Sequence, residues 1–250
     1  MKKVIQKTLW VLMTAIAFTA CSKENDDGPD GAKEGFATGK VVDGQGNPIV
    51  GAKILLDNTV YYATYIDGST KEDGTYKVKV QKGSWITFAY VDKTYNGRTY
   101  HMELFPDKTY AYTEEGAVRN FTWKMEGRMP WEAEDYYGAS IELSSDIYFN
   151  DDIADVELVL TPKGPLIDGS AGRVLTLHYG DEKWKQRYLL RDIPIGRYMV
   201  KATLKKNNQN RSLKIQDWHN PGNAVSEFQL DFLPKSDNTI RISASLVIGN

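Results

Sequence analysis

Beyond residue 31 the chain repeatedly alternates apolar and polar positions with a period of two, the pattern of strands with one buried and one wet face. Tyr76, Val78 and Val80 alternate with Lys77, Lys79 and Gln81. Ile86, Phe88 and Tyr90 form the next run, followed by Val156, Leu158 and Leu160. Tyr188 and Leu190, then Tyr198, Val200, Ala202 and Leu204, continue it, and Ile240, Ile242, Ala244 and Leu246 close the chain. Between the runs lie turn-forming groups: Asp43-Gly44-Gln45-Gly46-Asn47-Pro48, Asp67-Gly68, Asp73-Gly74, Pro162 to Pro165, Asp168-Gly169 and Asn207 to Asn210. Asp and Asn bond their own backbone in turns, and Gly supplies positive φ. No long amphipathic helical period appears. Short strands at this spacing predict an all-β protein built as two β-sandwiches. A break in the period near residues 106–118 separates units expected at 35–115 and 116–250. A small helix is predicted near Pro130 to Asp135, with Pro130 in its first turn.

The first twenty residues differ in kind. Lys2, Lys3 and Lys7 precede an apolar run from Leu9 to Ala20, and Cys21 follows. A basic segment, a short apolar segment and small residues before a cleavage point make a secretory signal. The run is about twelve residues, short of the ~20 that span a bilayer as a helix. Phe18-Thr19-Ala20-Cys21 resembles a bacterial lipobox, which implies lipid attachment at Cys21 and residues 1–20 as the cleaved signal. Cys21 is the sole cysteine, so no disulfide competes for it. Residues 21–34 are polar, acidic and rich in Gly and Pro, and are expected to form a flexible tether. From Ser22 to Glu34 it reaches roughly 45 Å when extended. A lysine and several acids just after the cysteine resemble the surface-export signal of Bacteroidetes lipoproteins, which implies an outer-membrane protein facing outward.

Charge narrows the partners. The full chain carries a formal net charge of -2; losing residues 1–20 removes three lysines and no acid, leaving -2 − 3 = -5. Such a chain has no basic field to gather nucleic-acid phosphates. At 41% hydrophobic and 26% charged residues it has the make-up of a folded globular protein.

Residues 36–52 read as a valine strand, a turn built by Asp43, Gly46 and Pro48, and a second strand opening at Gly51-Ala52. Thr70 to Tyr76 holds a further hairpin signal in Asp73-Gly74. Together Gly39, Val41, Asp43, Gly46, Pro48, Ile49, Gly51, Ala52, Thr70, Asp73, Gly74 and Tyr76 resemble the carboxypeptidase regulatory-like domain over residues 36–105. That resemblance implies a transthyretin/prealbumin-like sandwich in which these residues shape turns and packing, and an accessory role without activity of its own. Arg191 to Val200 resembles a hairpin of similar sandwiches.

Catalytic chemistry is hard to find. His101, His178 and His219 lie far apart and belong to no zinc-peptidase unit. Gly169-Ser170-Ala171-Gly172 is too short for a nucleophile elbow. Asn150 to Asp155 offers oxygen ligands without the order of a calcium loop. No catalytic residue, metal or cofactor is therefore expected. Aromatic residues among polar neighbours are the better candidates: Trp131, Tyr136 and Tyr137, Trp184 among Lys183, Lys185 and Arg187, and Trp218 between Asp217 and His219. A flat ring takes the CH face of a sugar while polar neighbours bond its hydroxyls; the same rings also plug the ends of sandwiches. These features point to a non-enzymatic, lipid-anchored module that binds a glycan or an outer-membrane protein partner. The alternative is a fimbrial or adhesin-type subunit, for which the C-terminal run 239–248 would serve as a donated strand.

Overall fold

The turn block after Val42 ties itself together through one carboxylate. Asp43 accepts bonds from the backbone N–H of Gln45 and Asn47, at 2.9 and 2.8 Å, and from the Asn47 amide at 3.0 Å. Partial burial pushes the Asp43 carboxyl up, but the Asn47 side chain and the backbone donors outweigh it and hold the group below its ordinary value. Gly46, Gly51 and Gly74 take φ of 88°, 69° and 76°, as their turns require. Thr70 closes the motif from inside: its hydroxyl donates to the Ile49 carbonyl at 2.6 Å and accepts from Ala52 N–H at 2.9 Å.

The computed structural model describes residues 27–28, 32–131, 135–179, 189–234 and 242–250. The signal, Cys21, most of the tether, Trp184, Tyr188, Ile240 and the centre of the helix expected near Pro130 lie outside the described residues.

After a short pair, β1 (Asp27–Gly28) with β2 (Ala32–Lys33), the first unit is built on β3 (Phe36–Val42). Further strands are β4 (Lys53–Asn58), β5 (Tyr65–Ser69), β6 (Thr75–Lys79), β7 (Trp85–Tyr95), β8 (Arg98–Glu103) and β9 (Phe105–Pro106). Two short strands, β10 (Ala117–Val118) and β11 (Phe121–Thr122), run parallel to β3 on one edge while β6 pairs antiparallel on the other. β5, β4, β7 and β8 form the second, antiparallel sheet. Ala37, Val41, Tyr76 and Val78 from one sheet meet Ile54, Leu56, Ala89, Val91 and Met102 from the other, all buried. Because β10 and β11 complete the β3 sheet, and Trp123 N–H bonds the Val42 carbonyl at 2.9 Å, the first unit extends past the boundary expected at 115/116.

One alternation faces the other way from the apolar reading. In β7 the buried residues are Trp85, Thr87, Ala89 and Val91, and Ile86, Phe88 and Tyr90 lie half-buried on the outer face. Parity is set by what the inner face must hold, and a one-residue change inverts every side chain. Trp85 fills the sandwich end, its indole N–H bonded to the Gln81 carbonyl at 2.9 Å. Thr87 is admitted because its hydroxyl pairs with the Tyr112 hydroxyl at 2.6 Å.

The second unit contains β12 (Ala139–Ser145), β13 (Val156–Pro162), β14 (Leu175–His178), β15 (Leu189–Ile193), β16 (Arg197–Lys206) and β17 (Gln209–Asp217). It ends in β18 (Phe228–Asp231), β19 (Leu233–Pro234) and β20 (Ile242–Gly249). A 3-10 turn, Ile153–Asp155, precedes β13, with the Asp152 carboxylate accepting from Ala154 N–H at 2.9 Å. Asp151 pairs with Lys206 and Arg211. The acidic loop is thus engaged in capping and ion pairs.

One strand changes partner along its length, and two short ones divide the same partners between them. β17 pairs with β16 through Leu213 and with β20 from Lys214 onward. β18 pairs with β16, and β19, just beyond Phe232, pairs with β20. Leu158, Leu160, Val200, Ala202, Leu213, Ile215, Leu230, Phe232, Leu246 and Ile248 make the buried interior. β20 is an inner strand, parallel to β12 on one side and antiparallel to β17 and β19 on the other.

The units touch through the β7–β8 hairpin, whose Asn96-Gly97 turn has φ of 48° and 78°, the left-handed pair a two-residue hairpin requires. The Tyr95 hydroxyl donates to the Pro165 carbonyl at 2.8 Å and accepts from Arg197 N–H at 3.0 Å. The buried Tyr100 hydroxyl donates to the Phe232 carbonyl at 2.8 Å.

Candidate functional site

Because β17 leaves β16 after Ala202 while β18 holds only Arg197 to Val200, the edge of the second sandwich opens between them. The same gap recurs on β20 between Ser243, paired with Leu233, and Leu246, paired with Asp217. A cleft of ≈ 560 Å³ occupies the opening, within the range of small-ligand sites. Phe228, Leu230 and Leu233 supply apolar lining; Glu142, Asp217, His219, Gln229 and Ser245 supply polar groups. Arg98 reaches it from the first sandwich.

Trp218 stands between two lining residues, Asp217 and His219, and is 58% exposed. Its loop is held locally. Trp218 N–H donates to the Ser245 carbonyl at 3.0 Å. One Asp217 oxygen accepts from the backbone N–H of His219 at 2.7 Å and of Asn220 at 3.3 Å.

The carboxylates of the cleft differ in their partners. Asp231 is neutralised by the Arg197 guanidinium through two bonds of 2.7 and 2.9 Å. Asp217 is committed to backbone donors, and Glu142 has no hydrogen bond or ion pair among the described residues. Among the described residues no group of three or more His, Cys, Asp or Glu side chains is placed to hold a metal ion. His101 bonds Asp92 at 2.6 Å and His178 bonds Glu157 at 2.9 Å, well separated in the fold.

The other aromatic candidates divide by environment. Trp131 lies on the outer face of the first sandwich, with its ring 4.8 Å from Phe88 and its indole N–H donating to Glu103 at 2.7 Å. It is half-buried and its polar edge is spent on the fold. Tyr137 is buried against Phe105, ring centroids 6.1 Å apart, and its hydroxyl has no partner among the described residues. Tyr136 is half-buried beside Arg128, whose guanidinium donates to its hydroxyl at 3.3 Å. Trp131, Tyr136 and Tyr137 are thus engaged with the fold, and of the described candidates Trp218 is the one whose two chain neighbours, Asp217 and His219, line the cleft. Arg98 and Glu142 went unnoticed in the sequence because 44 positions separate them and each sits in an ordinary strand pattern.

No family model matches this chain, and no curated protein is similar to it. Among solved structures, the Bacillus anthracis TIE protein aligns at 11% identity and a TM-score of 0.27, over 86% of this chain and 43% of that one. A streptococcal ancillary pilin aligns at 10% identity and a TM-score of 0.24, over 85% of this chain and 68% of that one. The chain thus spans less than half the length of the first of these, and at such scores neither likeness bears on what it does.

Proposed function

We propose that this protein is a lipid-anchored, outward-facing outer-membrane lipoprotein that binds a glycan without chemically altering it. Its first sandwich is read as a carboxypeptidase regulatory-like accessory domain, on the motif from Gly39 to Tyr76. The anchor rests on the sequence around Cys21, and acyl chains at ~0.8 kcal/mol per buried CH₂ hold such a protein at a membrane once more than one is attached. The binding role rests on one observation: a cleft lined by Glu142, Asp217, Gln229 and Ser245, with an exposed Trp218 between two lining residues, Asp217 and His219, on an anchored turn. The ring offers a stacking face, and the polar groups accept and donate to hydroxyls at its edge. The alternative reading is a fimbrial or adhesin-type subunit, in which β20, an inner strand of its sheet, would be the donated strand.

Two tests follow. Metabolic labelling with a palmitate analogue should mark the wild-type chain in a bacterial host and leave Cys21→Ser unlabelled; equal labelling of both would remove the anchor. Across a panel of plant, host and bacterial polysaccharides, the full-length chain should retain at least one. Trp218→Ala should weaken that interaction ~10-fold or more, about 1.4 kcal/mol, with thermal unfolding unchanged. Trp131→Ala should show the reverse, a lower melting temperature with affinity kept once folded. Retained binding in Trp218→Ala would place the site elsewhere.

A further inference from the structure

We propose that Arg98 is the anion-recognising residue of this cleft, so that the site is assembled from both sandwiches and selects glycans bearing a carboxylate. The inference rests on the glycan reading above. Arg98 directly follows the Asn96-Gly97 turn and opens β8, and this turn carries it across to the second unit. There it lines the cleft with Glu142 and Asp217. Arg98 has no hydrogen bond or ion pair among the described residues, whereas its neighbours are engaged. Asp231 takes the fork of Arg197 and a 3.4 Å bond from Asn96. Two guanidinium groups therefore stand against one carboxylate at this end, and Arg98 is the uncompensated one.

The opposite end has the opposite sign. Glu142 pairs in register with Ser245 and Asp217 with Leu246, while Leu233, two residues past Asp231, pairs with Ser243. From Ser243 to Leu246 the strand advances ~10 Å, which sets Glu142 and Asp217 apart from the Asp231 end, where Asn96, two residues before Arg98, bonds Asp231. A neutral sugar ring suits the Trp218 end, where Glu142 and Asp217 accept hydroxyl protons. A uronate suits the Arg98 end, where a planar fork matches a carboxylate with two parallel bonds. A ligand acidic along its whole length would be repelled by Glu142, so the preferred glycan alternates or ends in acid.

The test compares galactotetraose with the same oligosaccharide carrying one terminal galacturonate, titrated into the full-length protein by calorimetry. The acidic form should bind ~10-fold more tightly at low salt, and 0.5 M NaCl should narrow the gap. Arg98→Gln should bring the ratio of the two affinities to about one, and Arg98→Lys should keep part of the preference. Arg98 is exposed, so the variants should melt with the wild type. Equal binding of both sugars by the wild type, lost in Trp218→Ala, would overturn the Arg98 assignment and leave the glycan site standing. Binding of neither sugar, nor of any glycan in the panel, would overturn both.

Discussion

Gly39→Ala is expected to cost at least ~3 kcal/mol and to leave the first sandwich largely unfolded. A Cβ at this position would lie 1.8 Å from the Arg119 carbonyl oxygen and 2.7 Å from its carbon. Both are backbone atoms on the segment joining β10 to β11, and that segment has no room to retreat. Arg119 N–H bonds the Thr38 carbonyl at 2.8 Å, and the Arg119 carbonyl itself accepts from the Tyr76 hydroxyl at 2.7 Å. Moving the segment breaks the parallel pairing of β10 and β11 with β3 and strands a buried tyrosine hydroxyl, which costs another ~1–3 kcal/mol. The requirement is one of space, since Gly39 does not adopt positive φ. Gly44→Ala is the control: its nearest neighbour is the Trp123 carbonyl at 3.7 Å, an ordinary contact. Chemical denaturation of the two variants should separate them clearly, and a Gly39→Ala protein as stable as Gly44→Ala would show that β3 and residue 119 do not approach as described.

Glu103→Gln is expected to abolish most of the loss of stability that the wild type undergoes between about pH 4.5 and pH 7. Glu103 is buried beneath Trp131, and burial pushes its carboxyl up from 4.5 to about 7; the Trp131 indole bond partly opposes the shift and nearby Asp135 adds to it. The native state therefore binds this proton more tightly than the unfolded chain does. Below pH 4.5 the group is protonated in both states and contributes no pH dependence. As pH rises, the unfolded chain releases the proton first, so the unfolded state is favoured increasingly until the folded value near 7 is passed. At ~1.4 kcal/mol per unit of difference the full loss is up to about 3 kcal/mol. Glutamine keeps an oxygen for the indole N–H and carries no charge, so the variant should be more stable than wild type at pH 8 and match it at pH 4. Tyr90 and Tyr137, also raised by burial with Glu103 adding to the shift, stay neutral throughout this range. Parallel melting curves for the two proteins across pH 4 to 8 would mean that Glu103 stays solvated and that Trp131 does not seal it.

These expectations assign different work to residues that look alike in sequence. Trp131 and Trp218 both sit among charged and polar neighbours in the sequence. The Trp131 indole lies over Phe88 and bonds a buried carboxyl, so it is engaged with the fold. Among the described residues Trp218 is bonded through its backbone N–H, and it is largely exposed.

The sequence by itself determined whatever depends on near neighbours. Period-two alternation in Tyr76 to Val80, Val156 to Leu160 and Tyr198 to Leu204 marked strands because side chains two apart share a face wherever the strand is placed. Asp43, Gly46, Gly51, Asp73 and Gly74 marked turns because their bonds and backbone angles are made within a few residues. Only the tertiary structure decided which face of β7 is buried, since that depends on the space left between sheets for Trp85 and on a tyrosine hydroxyl 25 residues from Thr87. It alone decided that β10 and β11 belong to the first sandwich, because parallel pairing joins segments some 80 positions apart. The cleft, finally, is a gap where β17, β18 and β19 change partners, and its charges come from Arg98, Glu142 and Asp217 on three separate strands. A site made by the absence of a strand leaves no local pattern, for the residues around it obey the same alternation as every other strand in the chain.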